Sequence, residues 1–252
     1  MTDQANLPHT YAWACETGGR LADAEKVLVR GAVKSGYGDI ARGLATGLFR
    51  RSRGPKDVPS PPDSHLARTA EEAALDQGDA LVGHGYRTWV LGSALAAGDS
   101  VRLDVELMYV TSLLHDAGMV REVVGEDFTV RSGQQLIDVF ARAGEDASLG
   151  LRAADAAVAH ASPGLAVTTD PLGFYVQAGA MADLAGLRMW DLPRGLLKRA
   201  YRTYPAHDIH RVIPHHIRRE ARDVPDGRFA ILKRAGMDRM VSASPTRRHA
   251  RG

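Results

Sequence analysis

Four side chains of this 252-residue chain occupy places where their chemistry is out of keeping with their neighbours. His115 and Asp116 interrupt the apolar stretch VTSLLHDAGMV. His84 sits in a run that continues through Trp89, Val90, Leu91 and Leu95, and Asp183 is the only charge in FYVQAGAMADLAGL. Burying such groups is costly unless each finds a partner. A cation is one partner that serves all four. Two imidazoles and two carboxylates form a mixed N/O donor set that suits Zn, Fe or Mn rather than a closed structural zinc centre. Four ligands on a six-coordinate ion leave room for water and substrate. The His115–Asp116 pair also falls at the end of a predicted helix, where unpaired carbonyls favour positive charge. Neighbours on a helix diverge by about 100°, yet both side chains can reach one ion placed between them.

Two more residues belong near this chemistry. His160 is an acid/base candidate, because an imidazole titrates near neutrality. Asp116 could share that work. Arg87 lies one turn beyond His84 and could orient a polar or anionic substrate. Each also has an ordinary reading. His84 and Asp183 could be satisfied core groups, and His160 could bond a loop carbonyl. Arg87 could pair with an acidic side chain on a neighbouring helix.

The elements that must hold these residues read as helices. Ala and Leu are abundant, aromatics are 6%, and Val, Ile and Thr form no alternating runs, so the expectation is an all-α fold. Ser64 or Asp63 caps SHLARTAEEAALDQG, and DALVGHGYRTWVLGSALAAG runs to Gly98. DVELMYVTSLLHDAG opens at Asp104 and stops at Gly118. DFTVRSGQQLIDVFARAG has Gly144 as its stop signal, and SLGLRAADAAVAHASPG ends before Pro163. PLGFYVQAGAMADLAGLRM and LPRGLLKRAYRTYP complete the set. Residues 1–50 read as an N-terminal helical accessory region, with one helix in LADAEKVLVRGAVKSG and a second, glycine-weakened one in GDIARGLATGLFRR. Residues 51–63 form a Pro-rich linker, 64–240 the main domain with a C-terminal extension, and 241–252 a disordered basic tail. His207, His210, His215 and His216 lack a ligand spacing on one face. With Arg211, Arg218 and Arg219 around them they read as a solvated basic helix or surface arm.

Composition narrows the partners. A net charge of +2 with dispersed basic residues makes no case for nucleic acid. No stretch approaches the ~18 apolar residues of a spanning helix, and the N-terminus lacks a signal-peptide pattern. The lone Cys15 excludes an internal disulfide and fits a reducing compartment, so a cytoplasmic protein is the default expectation. A small-molecule substrate is the expected partner. Homo-oligomer formation is left open.

In order, HGYRTWVLGSAL, DVELMYVTSLLHDAG, DFTVRSG, AVAHASPG and FYVQAGAMADLAG resemble the HD superfamily of metal-dependent hydrolases. Their motif is a His, a His-Asp pair and a distant Asp. The similarity runs from about Pro61 to about Tyr204 and is greatest to the cyanamide hydratase-like branch. The resemblance implies a helical bundle with a central metal, liganded by His84, His115, Asp116 and Asp183, with His160 near the substrate. It implies a single metal, because only His160 lies between Asp116 and Asp183 where two-metal members carry further histidines. The implied activity is hydration or hydrolysis of a small nitrile-like or amide-like molecule by metal-activated water. A nucleotide phosphohydrolase and a non-catalytic, metal-stabilised regulatory protein are the alternatives. The absence of lysine between Lys56 and Lys198 weighs against phosphate, although Arg87, Arg121 and Arg131 are available. No Walker-type glycine loop is present.

Overall fold

The computed structural model describes residues 9–47 and 54–249, and among these it is all-helical. Twelve α-helices follow one another: α1 (Tyr11–Thr17), α2 (Asp23–Gly47), α3 (His65–Ala74), α4 (Asp79–Gly98), α5 (Val105–Leu114) and α6 (Phe128–Arg142), then α7 (Ala147–His160), α8 (Pro171–Ala185), α9 (Leu196–Thr203), α10 (Ile209–Asp223), α11 (Arg228–Arg234) and α12 (Met237–Ser242). Described residues form no strand, only an isolated bridge between Arg20 and Gly227. No described helix is long and apolar enough to cross a membrane.

Caps set the starts of the helices. Ser64, Asp104, Asp127, Asp146 and Asp170 each accept a backbone N–H of the first turn of α3, α5, α6, α7 and α8. Such a cap is worth about 1 kcal/mol. Glycines set how close the helices come. A Cβ on Gly179 of α8 would lie 2.2 Å from the Thr88 carbonyl oxygen of α4, and one on Gly92 would lie 2.4 Å from that of Tyr175. The two backbones therefore meet at a crossing that only glycine permits. That crossing brings the helix of His84 against the helix of Asp183.

The main core draws on α3 to α12, with Leu91, Leu95, Tyr109, Leu113, Phe128 and Val176 almost wholly buried. Burying each of these large apolar side chains contributes roughly 1.5–3 kcal/mol. A smaller cluster of Trp13, Leu21, Val29, Val158 and Ile231 fastens α1 and α2 to α7 and α11.

Several expectations change. The two helices expected in LADAEKVLVRGAVKSG and GDIARGLATGLFRR are one continuous helix, α2, because Gly36 and Gly38 weaken it without adopting a helix-ending conformation, and a short helix not expected from the sequence, α1, precedes it. Its expected end, residues 48–50, lies outside the described residues, as do 1–8, linker positions 51–53 and tail positions 250–252. The helix carrying the His–Asp pair ends at Leu114, four residues before Gly118, and a short 3-10 turn follows over Ala117–Val120. The histidine-rich segment is a packed amphipathic helix, α10, which buries Ile209, Ile213, Pro214 and Ile217 and leaves His207 and His215 outside. Residues 241–249 are ordered: Val241, Ser244 and Thr246 are buried, and Thr246 Oγ1 donates to the Asp183 carbonyl at 2.7 Å.

Candidate metal centre

The fold gathers His84 from α4, His115 and Asp116 from the end of α5, and His160 from the end of α7. One ligand atom from each of His84, His115 and Asp116 lies within 4.8 Å of the others, and all three residues are buried. The Asp116 carboxylate has three imidazole Nε2 atoms around it: His115 at 3.4 Å, His84 at 3.5 Å and His160 at 3.5 Å. The break after Leu114 is what allows this. Asp116 leaves the helix with φ −104° and ψ 5°, so its carboxylate turns beside the His115 ring instead of pointing a third of a turn away. Gly85 contributes as well, since a Cβ there would lie 2.9 Å from Leu113 Cα and hold α4 off α5.

The second nitrogen of each ring fixes its tautomer. His115 Nδ1 lies 2.7 Å from the Ser112 carbonyl, His84 Nδ1 lies 2.7 Å from Asp183 Oδ2, and His160 Nδ1 bonds the Ala157 carbonyl. An oxygen acceptor of this kind needs a donor, so each Nδ1 carries the hydrogen and each Nε2 of a neutral ring presents a lone pair. Nε2 of His84 and Nε2 of His115 are buried with no hydrogen-bond partner. Burial and the neighbouring rings of His160 and His84 push the His115 imidazole down to about 3, against the pull of Asp116. Burial alone would raise the Asp116 carboxyl, but His115, His160 and His84 outweigh it and hold it well below the usual carboxylate range. The lone pair of the neutral His115 ring thus faces a carboxylate anion, beside the unpartnered Nε2 of His84. That arrangement is repulsive as it stands and becomes attractive around a cation. The residues present fit a divalent metal ion.

Asp183, expected as a fourth ligand, lies behind His84. Its Oδ1 accepts from Arg87 Nε at 2.7 Å, and its Oδ2 accepts from Arg87 Nη2 at 3.0 Å and from His84 Nδ1. Arg87, expected to face substrate, has no exposed surface. Its remaining nitrogen donates to the Tyr204 and Pro205 carbonyls at 3.0 and 2.8 Å, and its guanidinium lies over the Tyr201 ring. Burial would raise the Asp183 carboxyl, but the Arg87 charge and the His84 bond hold it well below the usual range. His84 and Arg87, three apart, share a helix face, which lets one carboxylate serve both.

The group opens on a cavity of about 210 Å3. Its walls are mostly apolar, with Val33, Ile40, Leu184, Ile213, Ile217 and Phe229 among them. Asp116 is the only lysine, arginine or acidic residue among the described residues that line it. Arg131, a sequence candidate for phosphate, is engaged instead with the Gly118 carbonyl and Glu126, and Arg121 is exposed. Sequence reasoning did not single out Gln177, which lines the cavity and donates to the His160 and Ser162 carbonyls at 2.6 and 3.0 Å. Its signal was weak: beside Asp183 it is the only non-aromatic polar side chain in α8. No family model matches this chain, and no curated protein does.

Proposed function

We propose that the protein is a metal-dependent hydrolase or hydratase of the HD type, acting on a small neutral molecule of the nitrile or amide kind. The observation that carries the reading is the pair of buried, unpartnered Nε2 atoms on His84 and His115 facing the Asp116 carboxylate. His84, His115 and Asp116 would hold one divalent ion, with Asp183 fixing the tautomer and orientation of His84 from behind. Such an ion supplies Lewis acidity, bringing the pKa of water from roughly 16 towards about 7. Zn, Fe and Mn all suit two imidazoles and a carboxylate.

The chain's own groups then divide the remaining work. His160 Nε2 lies 3.5 Å from Asp116 Oδ1 and is placed to exchange a proton with the attacking water. In a nitrile hydration the water oxygen bonds to carbon, the C–N π bond gives up its electron pair to nitrogen, and the proton held on His160 passes to that nitrogen. The apolar walls exclude bulk water from this exchange. They also favour a neutral substrate over a phosphate ester, because no arginine or lysine among the described residues lines the cavity. The exposed lone Cys15 suits work in a reducing compartment such as the cytoplasm.

The test is metal content by elemental analysis of the wild type, His115→Ala and Asp116→Ala, followed by turnover of cyanamide, small nitriles and a nucleotide panel. One equivalent of metal per chain in the wild type, lost in both variants, together with nitrile or cyanamide turnover, is the expected result. Unchanged metal in both variants sinks the site. Nucleotide turnover without nitrile turnover sinks the substrate class, and bound metal with no turnover of either makes the protein a binding module.

A further inference from the structure

The cavity is much larger than a three-atom substrate requires. At about 210 Å3 it holds many water-sized groups, since one water needs only about 10–15 Å3 on the same scale. Its polar groups are gathered together: the rings of His84 and His115 lie 5.1 Å apart and those of His115 and His160 4.7 Å apart. The rest of the wall is aliphatic, aromatic or thioether, including Met119, Met181, Met237 and Met240. Methionine conforms to varied apolar shapes.

Gln177 stands beside the polar end, bonded to the backbone of His160 itself. Both of its bonds run from Nε2 to carbonyl oxygens, which accept and never donate, so the amide cannot be turned round without losing both. Its Oε1 therefore faces away from those carbonyls, on a residue that lines the cavity, and makes no hydrogen bond to the described residues. An unoccupied carbonyl acceptor next to His160 selects for a head group with an N–H to donate.

We propose that the site takes a neutral molecule with an extended apolar body and an N–H-bearing head, the head donating to Gln177 Oε1 and the body lying along the apolar wall. This rests on the functional reading above, which locates the reacting end. It adds a specificity-determining residue and a substrate class: alkyl or aryl amides that keep an N–H, rather than the smallest members of that series.

The experiment measures binding, so it does not require turnover. Calorimetric titrations with acetamide, butanamide, hexanamide and N,N-dimethylhexanamide are run on metal-loaded and on chelator-stripped protein. Affinity is expected to rise about fourfold per methylene from acetamide to hexanamide. Hexanamide is expected to exceed its N,N-dimethyl analogue by about fivefold, the worth of one neutral hydrogen bond. Gln177→Lys keeps a donor for the His160 and Ser162 carbonyls and removes the acceptor, and Gln177→Met removes both. In each, the advantage of the primary amide should vanish while the dependence on chain length persists, which also shows that the pocket has survived. An affinity flat with chain length in the wild type overturns the apolar body. Persistence of the amide advantage in both variants, or loss of the chain-length dependence along with it, overturns the role of Gln177. Failure of the metal reading looks different: no metal retained on dialysis, with the chain-length dependence intact.

Discussion

Asp183 and Arg87 form a buried ion pair with two parallel bonds, and Asp183 also holds the His84 ring through its Nδ1. Removing one partner leaves the other charge without compensation in the core, at a cost of about 3–5 kcal/mol, whereas replacing both with apolar groups is often close to neutral. Asp183→Ala should therefore destabilise the protein by about 3–5 kcal/mol in urea melts. The double variant Asp183→Leu, Arg87→Met should recover most of that loss. It should not recover metal affinity, because His84 Nδ1 has still lost its acceptor, and orienting partners of this kind are worth about 10–100-fold. Competition dialysis with zinc checks this, and wild-type affinity in the double variant would show that Asp183 does not act through His84. At this scale the sequence was informative about which residues are out of place and less so about who answers whom. His84, His115 and Asp116 stood out because polar groups in apolar helices need partners. That Arg87 would meet Asp183 rather than substrate depends on the side-to-side placement of α4 and α8, which spacing along one helix does not contain.

That placement is set by small residues at the α4–α8 crossing. Gly179→Ala puts a methyl 2.2 Å from the Thr88 carbonyl oxygen, backbone that cannot swing aside. The helices must separate, at a cost of about 1–3 kcal/mol typical of overpacking. Since Asp183 lies one turn beyond Gly179 and meets His84 across the same interface, metal affinity should fall along with stability. Gly38→Ala in α2 is the contrast. A Cβ there meets nothing within 4 Å, so the substitution should only strengthen the helix, by up to about 1 kcal/mol. Thermal melts and zinc titration of the two variants check the pair; equal effects would mean that the crossing does not position the site. Helix existence and capping were readable at this scale: Ser64 and Asp104 cap where their sequence context indicates. The end of α5 was not, because His115 and Asp116 leave the helix to meet groups from α4 and α7, a tertiary demand invisible in VTSLLHDAG. The apolar spacing of Ile209, Ile213 and Ile217 in α10 was legible, and the surrounding arginines and histidines masked it.

For the molecule as a whole, Glu220 of α10 couples folding to pH at the seam with α6. Its Oε2 accepts from the Phe128 N–H at 3.2 Å, Arg131 stands 3.5 Å from Oε1, and the residue is 3% exposed. Burial, and then the charge of Asp127, push its carboxyl from 4.5 up to about 7, with Arg131, the Phe128 N–H and Arg219 opposing. A carboxyl raised in this way binds its proton more tightly folded than unfolded. Its contribution to stability is therefore full below 4.5 and is lost as pH rises through about 7. Taken across that window, the loss is roughly 3 kcal/mol at 1.36 kcal/mol per unit. His210 and His216 run the other way. Burial lowers each from 6.5 to about 4, so the unfolded chain takes up their protons first and their contribution is lost as pH falls from 6.5 towards 4. The opposing slopes overlap, and the wild-type curve alone does not separate them. Glu220→Gln does, because an amide oxygen still accepts from the Phe128 N–H and nothing titrates. The difference in unfolding free energy between Glu220→Gln and wild type should be flat below pH 4.5, grow in favour of the variant by roughly 3 kcal/mol up to about pH 7, and be flat again above it. Urea melts at half-unit pH steps measure that difference. A curve that is level throughout would mean that Glu220 keeps its charge at the seam, held by Arg131 and Arg219.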